Sequence, residues 1–240
     1  MSYKNEAARL AAQTRYTFED LVKITQILRS EEGCPWDREQ DHHSVRVCLI
    51  EETYEVAEAI DKEDAVLLRE ELGDLLFQVL FHAQIEAEKE TFDMLDVISD
   101  IAEKMVHRHP HVFGSLQVES SSEVLQNWES IKTEEKQRNT LAEKLRAIPP
   151  MMPALMRAQK VGKKVGRTSG VSPMEQLSRI EEELRAVRES ITSGADADVG
   201  GLLMSVTDLA RVLDQDAEHA LMRETERVID AVSAQNALKN

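Results

Sequence analysis

Apolar residues recur at three- and four-residue intervals along most of this chain, and no segment sustains a strict apolar–polar alternation. That pattern predicts helices throughout and no strands. In "TFEDLVKITQILRSEEG", Thr17 and Asp20 form a capping box, Leu21, Ile24, Ile27 and Leu28 make the apolar stripe, and Gly33 ends the helix. "CPWDREQDHH" is expected to be a loop carrying Pro35, after which Ser44 caps a second helix running to Asp61. A third helix is predicted over 64–88. Thr91 and Asp93 open a fourth, "FDMLDVISDIAEKMVHRH", which Pro110 stops. A fifth is expected to run unbroken from the serines at 120–122 to Pro149 and Pro150.

The proline-punctuated joint "IPPMMPALMRAQK" leads to a second helical set, expected over 154–167, 173–192, 200–213 and 216–235. This set echoes the first. "LIEETYEVAEAI" compares with "RIEEELRAVRES", and "GDLLFQVLFHAQ" with "GGLLMSVTDLAR". The chain reads as all-α, a tandem duplication with a decayed second copy, divided into domains 1–148 and 149–240.

With 240 residues, 42% of them hydrophobic, the chain can build one large core or two small ones. Nine glycines, six prolines and 31% charged residues agree with a helical soluble protein. The formal net charge of −16 argues against a nucleic-acid polymer as partner, because phosphate backbones are bound by a surplus of Lys and Arg. An anionic small molecule stays in play if a cation mediates. Cys34 and Cys48 show neither a pairing framework nor metal-knuckle spacing, so a reducing compartment is expected. The N-terminal stretch lacks an apolar signal region and no apolar run is long enough to span a membrane, which points to a cytoplasmic location.

Two acidic clusters stand out, Glu51-Glu52-x-x-Glu55 and Glu71-x-x-Asp74. Glu52 and Glu55 are three residues apart, as are Glu71 and Asp74, so each pair shares a helix face. Glu71, Asp74 and Gln78 follow one line that His82 extends. Leu75, Leu76, Phe77, Val79, Leu80 and Phe81 cover most other directions, so this helix is expected to be buried on more than one side. Carboxylates crowded in such a place would largely protonate unless a cation compensates them. All-oxygen ligands select a hard ion, Mg²⁺ or Mn²⁺, over zinc. In a chain with 45 acidic residues, a solvated acidic face accounts for the same spacing, and periodicity alone does not choose between the two. Di-iron bundles use Glu-x-x-His pairs, but the spacing occurs only at Glu39-x-x-His42, in the expected loop.

The ordered set "GCPWDREQ", "LIEETYEVAEAI", "LREELGDLLFQVLFHAQ", "RHPHVFG" and "EVLQNWESIKTEEK" resembles the MazG family of nucleoside triphosphate pyrophosphohydrolases over 33–136, and "PALMRAQKVGKK" extends the match into the joint. The family signature, EExxE followed by ExxD, falls on Glu51, Glu52, Glu55, Glu71 and Asp74. The resemblance implies a helical-bundle fold and a metal site of Glu52, Glu55, Glu71 and Asp74. It implies Mg²⁺, with Mn²⁺ as the alternative. The implied reaction is hydrolysis of nucleoside triphosphates between the α and β phosphates, giving a monophosphate and pyrophosphate. Broad specificity, cleansing of the nucleotide pool and assembly as a homodimer with sites near subunit contacts go with it. By the same resemblance 1–148 is the MazG-like domain with the intact acid set.

Glu51, beside the ligand set, is the candidate for orienting or deprotonating the attacking water. Lys132 matches a basic position of the family motif and is the first candidate for holding the polyphosphate, followed by Arg108 and Lys104. Each is equally readable as a solvated helix cation, and Arg108 as a partner of a helix C-terminus. Trp36 can stack on a base or plug the mouth of the core, the commoner fate of such a side chain. His107, His109 and His111 flank Pro110 and read as turn and helix-end residues. Arg157, Lys160, Lys163, Lys164 and Arg167 form a basic run expected to be solvated or to pair with acidic surface across a dimer. In the second copy, Ala186 or Arg185 stands where Glu55 does, and Gly201 replaces Asp74. Activity is therefore expected in the first copy, with packing or dimerisation left to the second. The alternative for the whole chain is a non-catalytic helical dimerisation or regulatory module that retains the fold.

Overall fold

The computed structural model describes residues 3–135 and 140–237. The chain forms two compact units, Met1–Trp128 and Glu129–Asn240. Among the described residues there are helices and no strands, and no helix is long and apolar enough to cross a membrane. The first unit holds α1 (Tyr3–Ala11), α2 (Phe18–Arg29), α3 (Pro35–Glu39), α4 (Arg46–Asp61), α5 (Ala65–Ala87), α6 (Met94–Arg108) and α7 (Pro110–Phe113). The boundary between the units falls within α8 (Ser121–Glu135), whose first half belongs to the first unit and whose second half, from Glu129, belongs to the second. The second unit continues with α9 (Leu141–Arg146), α10 (Ala154–Lys164), α11 (Pro173–Ser193), α12 (Val199–Val212) and α13 (Ala217–Ala237).

Local capping chemistry sets most of these boundaries. The Thr17–Asp20 capping box opens α2, Asp64 caps α5 through the amides of Val66 and Leu67, and Asp93 with Asp96 opens α6. Four expectations need correction. "CPWDRE" is not a loop: Pro35 at the first helical position starts the short α3. Ser44 does not cap α4. Its hydroxyl and amide are committed to the Asp41 turn, and Val45 occupies the cap position. The helix expected from 120 to 150 is interrupted. Residues 136–139 lie outside the described residues, and Thr140 with Glu143 makes a fresh capping box for α9. Finally α2 stops at Arg29 rather than Gly33. Gly33 sits so close under the end of α2 that a β-carbon there would lie 2.1 Å from the Ile27 carbonyl oxygen, so only glycine fits. The helix α1 was not foreseen.

Val45, Phe81 and Ile85 form the core of the first unit, with Phe77 packed against them. Arg29 ties three elements to this core. Its guanidinium lies 4.9 Å from the Phe81 ring centroid, makes two 2.8 Å hydrogen bonds to the Glu88 carboxylate, and donates to the carbonyls of Asp37 and Gln40. Contrary to the expectation for the third helix, only the C-terminal half of α5 is buried broadly. Leu80, Phe81, Ala83 and Ile85 are enclosed, while Leu72, Leu76 and Val79 stay exposed. The reason is coverage: α2 meets α5 near Leu80 and beyond, and the N-terminal half has α4 as its neighbour.

Next to that core, His42 and His82 stack with their Nδ1 atoms 2.7 Å apart, and His42 Nε2 contacts the Glu86 carboxylate. A carboxylate cannot donate, so the Nε2 of neutral His42 carries the proton and its Nδ1 accepts from His82. The lone pair of His82 Nε2 is then buried without a hydrogen-bond partner. A proton added there would have no acceptor, and burial together with the adjacent His42 holds the His82 pKa below its usual 6.5. Glu86 is pushed down to about 2 by hydrogen bonds from Lys89, Thr91 and His42. Sequence spacing placed His82 on the line of the acids; the fold turns it to His42 instead.

The second unit is built on a different core. The α11–α12 hairpin repeats the α4–α5 hairpin in position along the chain. In the sequence comparison of "GDLLFQVLFHAQ" with "GGLLMSVTDLAR", Asp208 stands opposite Phe81. Asp208 is 1% exposed and accepts from Arg167 Nε and from Arg211. Gln176 donates to the Ser205 carbonyl and the Ser205 hydroxyl donates to Glu183. Gly162 lets α10 approach α12, since a β-carbon there would sit 2.7 Å from Asp208 Oδ1. Glu218 of α13 supplies the N-terminal cap that Pro153 cannot give α10, accepting from the amides of Leu155 and Met156.

The histidine cluster predicts acid sensitivity. Both His82 and Glu86 have folded pKa values below their unfolded ones, so the unfolded chain binds more protons and stability falls with pH. The His82 contribution is complete above 6.5 and is lost as pH falls below it; that of Glu86 is lost from 4.5 down to about 2. Thermal melts from pH 7.5 to 5.5 should show a falling Tm in the wild type and a shallower slope in His82→Gln. Equal slopes would remove His82 from this account.

Candidate metal centre

The acid cluster is positioned by a three-residue connector. α4 ends with the Lys62 amide donating to the carbonyls of Glu58 and Ile60, Glu63 turns the chain with φ 53°, and Asp64 caps α5. The tight turn makes α4 and α5 antiparallel neighbours and fixes their register. With about 1.5 Å rise per residue, Glu55 on α4 and Glu71 on α5 both lie roughly 9 Å from the turn. Glu52 and Asp74 lie level one turn further on. Two sequence-distant pairs are thus brought opposite one another by helix arithmetic alone.

Ligand atoms of Glu52, Glu55 and Glu71 all lie within 4.8 Å of one another. Asp74 falls outside that set, but its charge acts on both Glu52 and Glu71. Burial, a hydrogen bond with Glu55 and the charges of Asp74, Glu55 and Glu71 hold the Glu52 carboxyl above its usual range. Glu71 is raised by burial and then by the charges of Glu55, Glu70, Asp74 and Glu58. Oxygen-only, mutually repelling and half open to solvent, this donor set suits a hard divalent cation. It is the single such cluster among the described residues.

The remaining sequence candidates are dispersed. Glu51 is exposed beside Glu52, about 100° round the helix. Lys104 is exposed on α6, and Arg108, one turn on, is 8% exposed. The Arg108 guanidinium carbon lies 5.4 Å from the centroid of the Trp128 ring. Trp128 was missed by sequence reasoning, although its place one turn before Lys132 in "NWESIK" puts the two on one face of α8. Trp36 does not fill the core. It stands 61% exposed on α3. Lys132 belongs to the second unit, where it lines a cavity with other lysines. His109 ends α6 and begins α7, its Nδ1 bonded to the Met105 carbonyl.

In the second unit the corresponding acids have other employment. Asp198 lies before α12 and caps it through the Gly201 amide, and Glu183 accepts from Ser205.

Known proteins similar to this chain point to one family. The family model described as the MazG nucleotide pyrophosphohydrolase domain matches residues 40–113, which hold the whole acid cluster. A nucleoside triphosphate pyrophosphohydrolase/pyrophosphatase MazG of Thermotoga maritima is 40% identical over 216 residues, covering 89% of this chain and 83% of its own length. A nucleoside triphosphate pyrophosphohydrolase of Escherichia coli is 43% identical over 216 residues, 86% of this chain and 82% of its own. The crystal structure of a mazG-related protein from Thermotoga maritima aligns with 48% of this chain and 98% of its own at 32% identity and a TM-score of 0.42. Similarity of this extent to the two pyrophosphohydrolases shows that the chain belongs to the MazG family of nucleotide pyrophosphohydrolases.

Proposed function

We propose that the chain hydrolyses nucleoside triphosphates between the α and β phosphates, with Mg²⁺ held by Glu52, Glu55, Glu71 and Asp74 and with Mn²⁺ as a substitute. The observation that carries the reading is the convergence of Glu52, Glu55 and Glu71 within 4.8 Å, with Asp74 alongside. When bound, Mg²⁺ supplies positive charge to phosphate oxygens and acidifies water. The chain's own residues do the rest. Glu51 is exposed beside the cluster, where it can orient a water and accept its proton. In-line displacement at phosphorus needs mainly positioning and charge stabilisation. Lys132 is assigned to the polyphosphate. Arg108, held against the Trp128 ring, offers a pre-oriented guanidinium for the same purpose. The exposed Trp36 ring can stack on any base, which supports broad specificity and a role in cleansing the nucleotide pool.

The first domain, 1–148, carries this chemistry, and the second supports it by packing. The apolar stripes Val47, Ile50 and Tyr54 on α4 and Leu72, Leu76 and Val79 on α5 remain exposed beside the acids. We read them as the face of a homodimer, since so large an unpartnered apolar surface is rare on a monomer.

Incubation with mixed nucleoside triphosphates should release monophosphate and pyrophosphate only when Mg²⁺ or Mn²⁺ is present. Glu71→Gln or Asp74→Asn should bring turnover to background with helix content retained, and Lys132→Ala should lower it by about tenfold or more. Asp198→Asn should leave turnover unchanged, since Asn caps a helix as well as Asp does. Diphosphate and orthophosphate as products would sink the mechanism. Sedimentation should give a dimer, and Leu76→Glu a monomer; a wild-type monomer would reject the proposed face.

A further inference from the structure

The two hairpins share one register, and a hydrogen bond in the second unit bears on the first. Val45 and Phe81, the buried pair between α4 and α5, are 4% and 2% exposed; Gln176 and Asp208, each 1% exposed, are their counterparts at α11 and α12. Counted from these residues, Glu52 and Glu183 each come seven positions later, and Gln78 and Ser205 each come three earlier. Glu52 and Glu183 are both half-buried between exposed neighbours, which sets Glu183 opposite Glu52 and Ala186 opposite Glu55. Gln176 donates to the Ser205 carbonyl at 3.0 Å and the Ser205 hydroxyl donates to the Glu183 carboxylate at 2.7 Å, so Ser205 lies level with the stretch between them.

A donor at the place of Gln78 thus reaches the carboxylate at the place of Glu52. In the first unit Gln78 is half-buried, lies four residues beyond Asp74 on the line of the acids, and makes no hydrogen bond among the described residues. Its amide nitrogen is three bonds beyond the β-carbon, against one for a serine hydroxyl, so its reach is the longer. A simpler account makes Gln78 an ordinary helix former at a half-exposed position. That account gives no role to a hydrogen-bond donor at this place in both copies.

We propose that Gln78 is a positioning residue of the cation site, its Nε2 donating to the Glu52 carboxylate and so turning the other oxygen toward the ion. The inference rests on the reading of the acids as a cation site. Glu52 and Glu55 are hydrogen-bonded to each other, which takes a proton held between two carboxylates. Cation ligands bind deprotonated, so an ion expels that proton and ends the bond. Glu52 then needs another donor to fix its orientation, as carboxylate ligands generally do. A neutral amide supplies one without competing with the ion for the acids, as an ammonium group would.

Mn²⁺ binding to the full chain, followed by electron paramagnetic resonance, tests the assignment apart from turnover. Gln78→Met keeps the side-chain length and removes the amide; it should bind Mn²⁺ at least tenfold more weakly. Its melting temperature in EDTA should match the wild type, because it removes no hydrogen bond of the fold described above. Gln78→Ser should recover most of the loss, since serine makes the corresponding bond in the second unit. Gln78→Glu separates a donor from a direct ligand: repulsion from Glu52 should weaken binding at least as far as methionine does. In a glutamine-labelled chain, the Gln78 side-chain amide resonances, assigned by their loss in Gln78→Met, should shift when Mg²⁺ is added. Wild-type affinity in Gln78→Met, tighter binding in Gln78→Glu, or Gln78→Ser as weak as Gln78→Met overturns the proposal. A wild type that binds no Mn²⁺ rejects the cation reading and this inference with it, so the two failures are told apart.

Discussion

Glu52, Glu55 and Glu71 repel one another across the α4–α5 hairpin, and the rest of the first unit keeps them from moving apart. The connector fixes which residues are level, and the Val45–Phe81–Ile85 cluster clamps the far end of the hairpin. Arg29 locks that end to α2 and α3 by joining a cation–ring contact to a two-pronged ion pair and two carbonyl bonds. Arg29 is buried while Glu88 stands at the surface, so the pair fixes geometry more than it adds stability. The acids are therefore held in a repelling arrangement by packing that lies two to three turns away. Raised carboxyl pKa values at Glu52 and Glu71 are the electrostatic record of that constraint.

The two halves of the chain illustrate what such a constraint requires. The first keeps an apolar clamp, with Phe81 at the position where the second has Asp208. Once Asp208 is buried, Arg167 and Arg211 are needed to compensate it, and Gly162 must stay small to leave it room. In the same unit Asp198 is drawn into a helix cap and Glu183 into a hydrogen bond from Ser205. The basic run from Arg157 to Arg167 is divided too: Arg167 serves the core, whereas Lys160 and Lys164 line a cavity of the second unit.

Local signals in the sequence were legible where one side chain decides the outcome. Thr17, Asp64 and Asp93 mark helix starts because a cap needs a short acceptor at one position. The acid cluster was legible as two faces, since spacing of three residues defines a face, but not as three close ligands with Asp74 set back. That depends on the length of the connector. Ser44 misled because its hydroxyl is taken by the Asp41 backbone, accepting from the Asp41 amide and donating to the Asp41 carbonyl, which leaves it no part in capping α4. The Thr140–Glu143 box was present in "TLAE" and was overrun by the helical pattern around it. Exposure of Leu72, Leu76 and Val79 was hidden for a different reason. An apolar stripe shows that a face wants cover, not whether the cover lies within the same chain. The His42–His82–Glu86 contact joins residues forty apart and had no local signature.

The central claim is that the repelling glutamates are a cation site. Electron paramagnetic resonance of Mn²⁺ titrated into the full chain tests it without reference to turnover. Saturable loss of the free-ion signal is predicted, reversed by excess Mg²⁺ and strongly weakened in Glu71→Gln. A titration in which Glu71→Gln binds Mn²⁺ as tightly as the wild type would contradict the account.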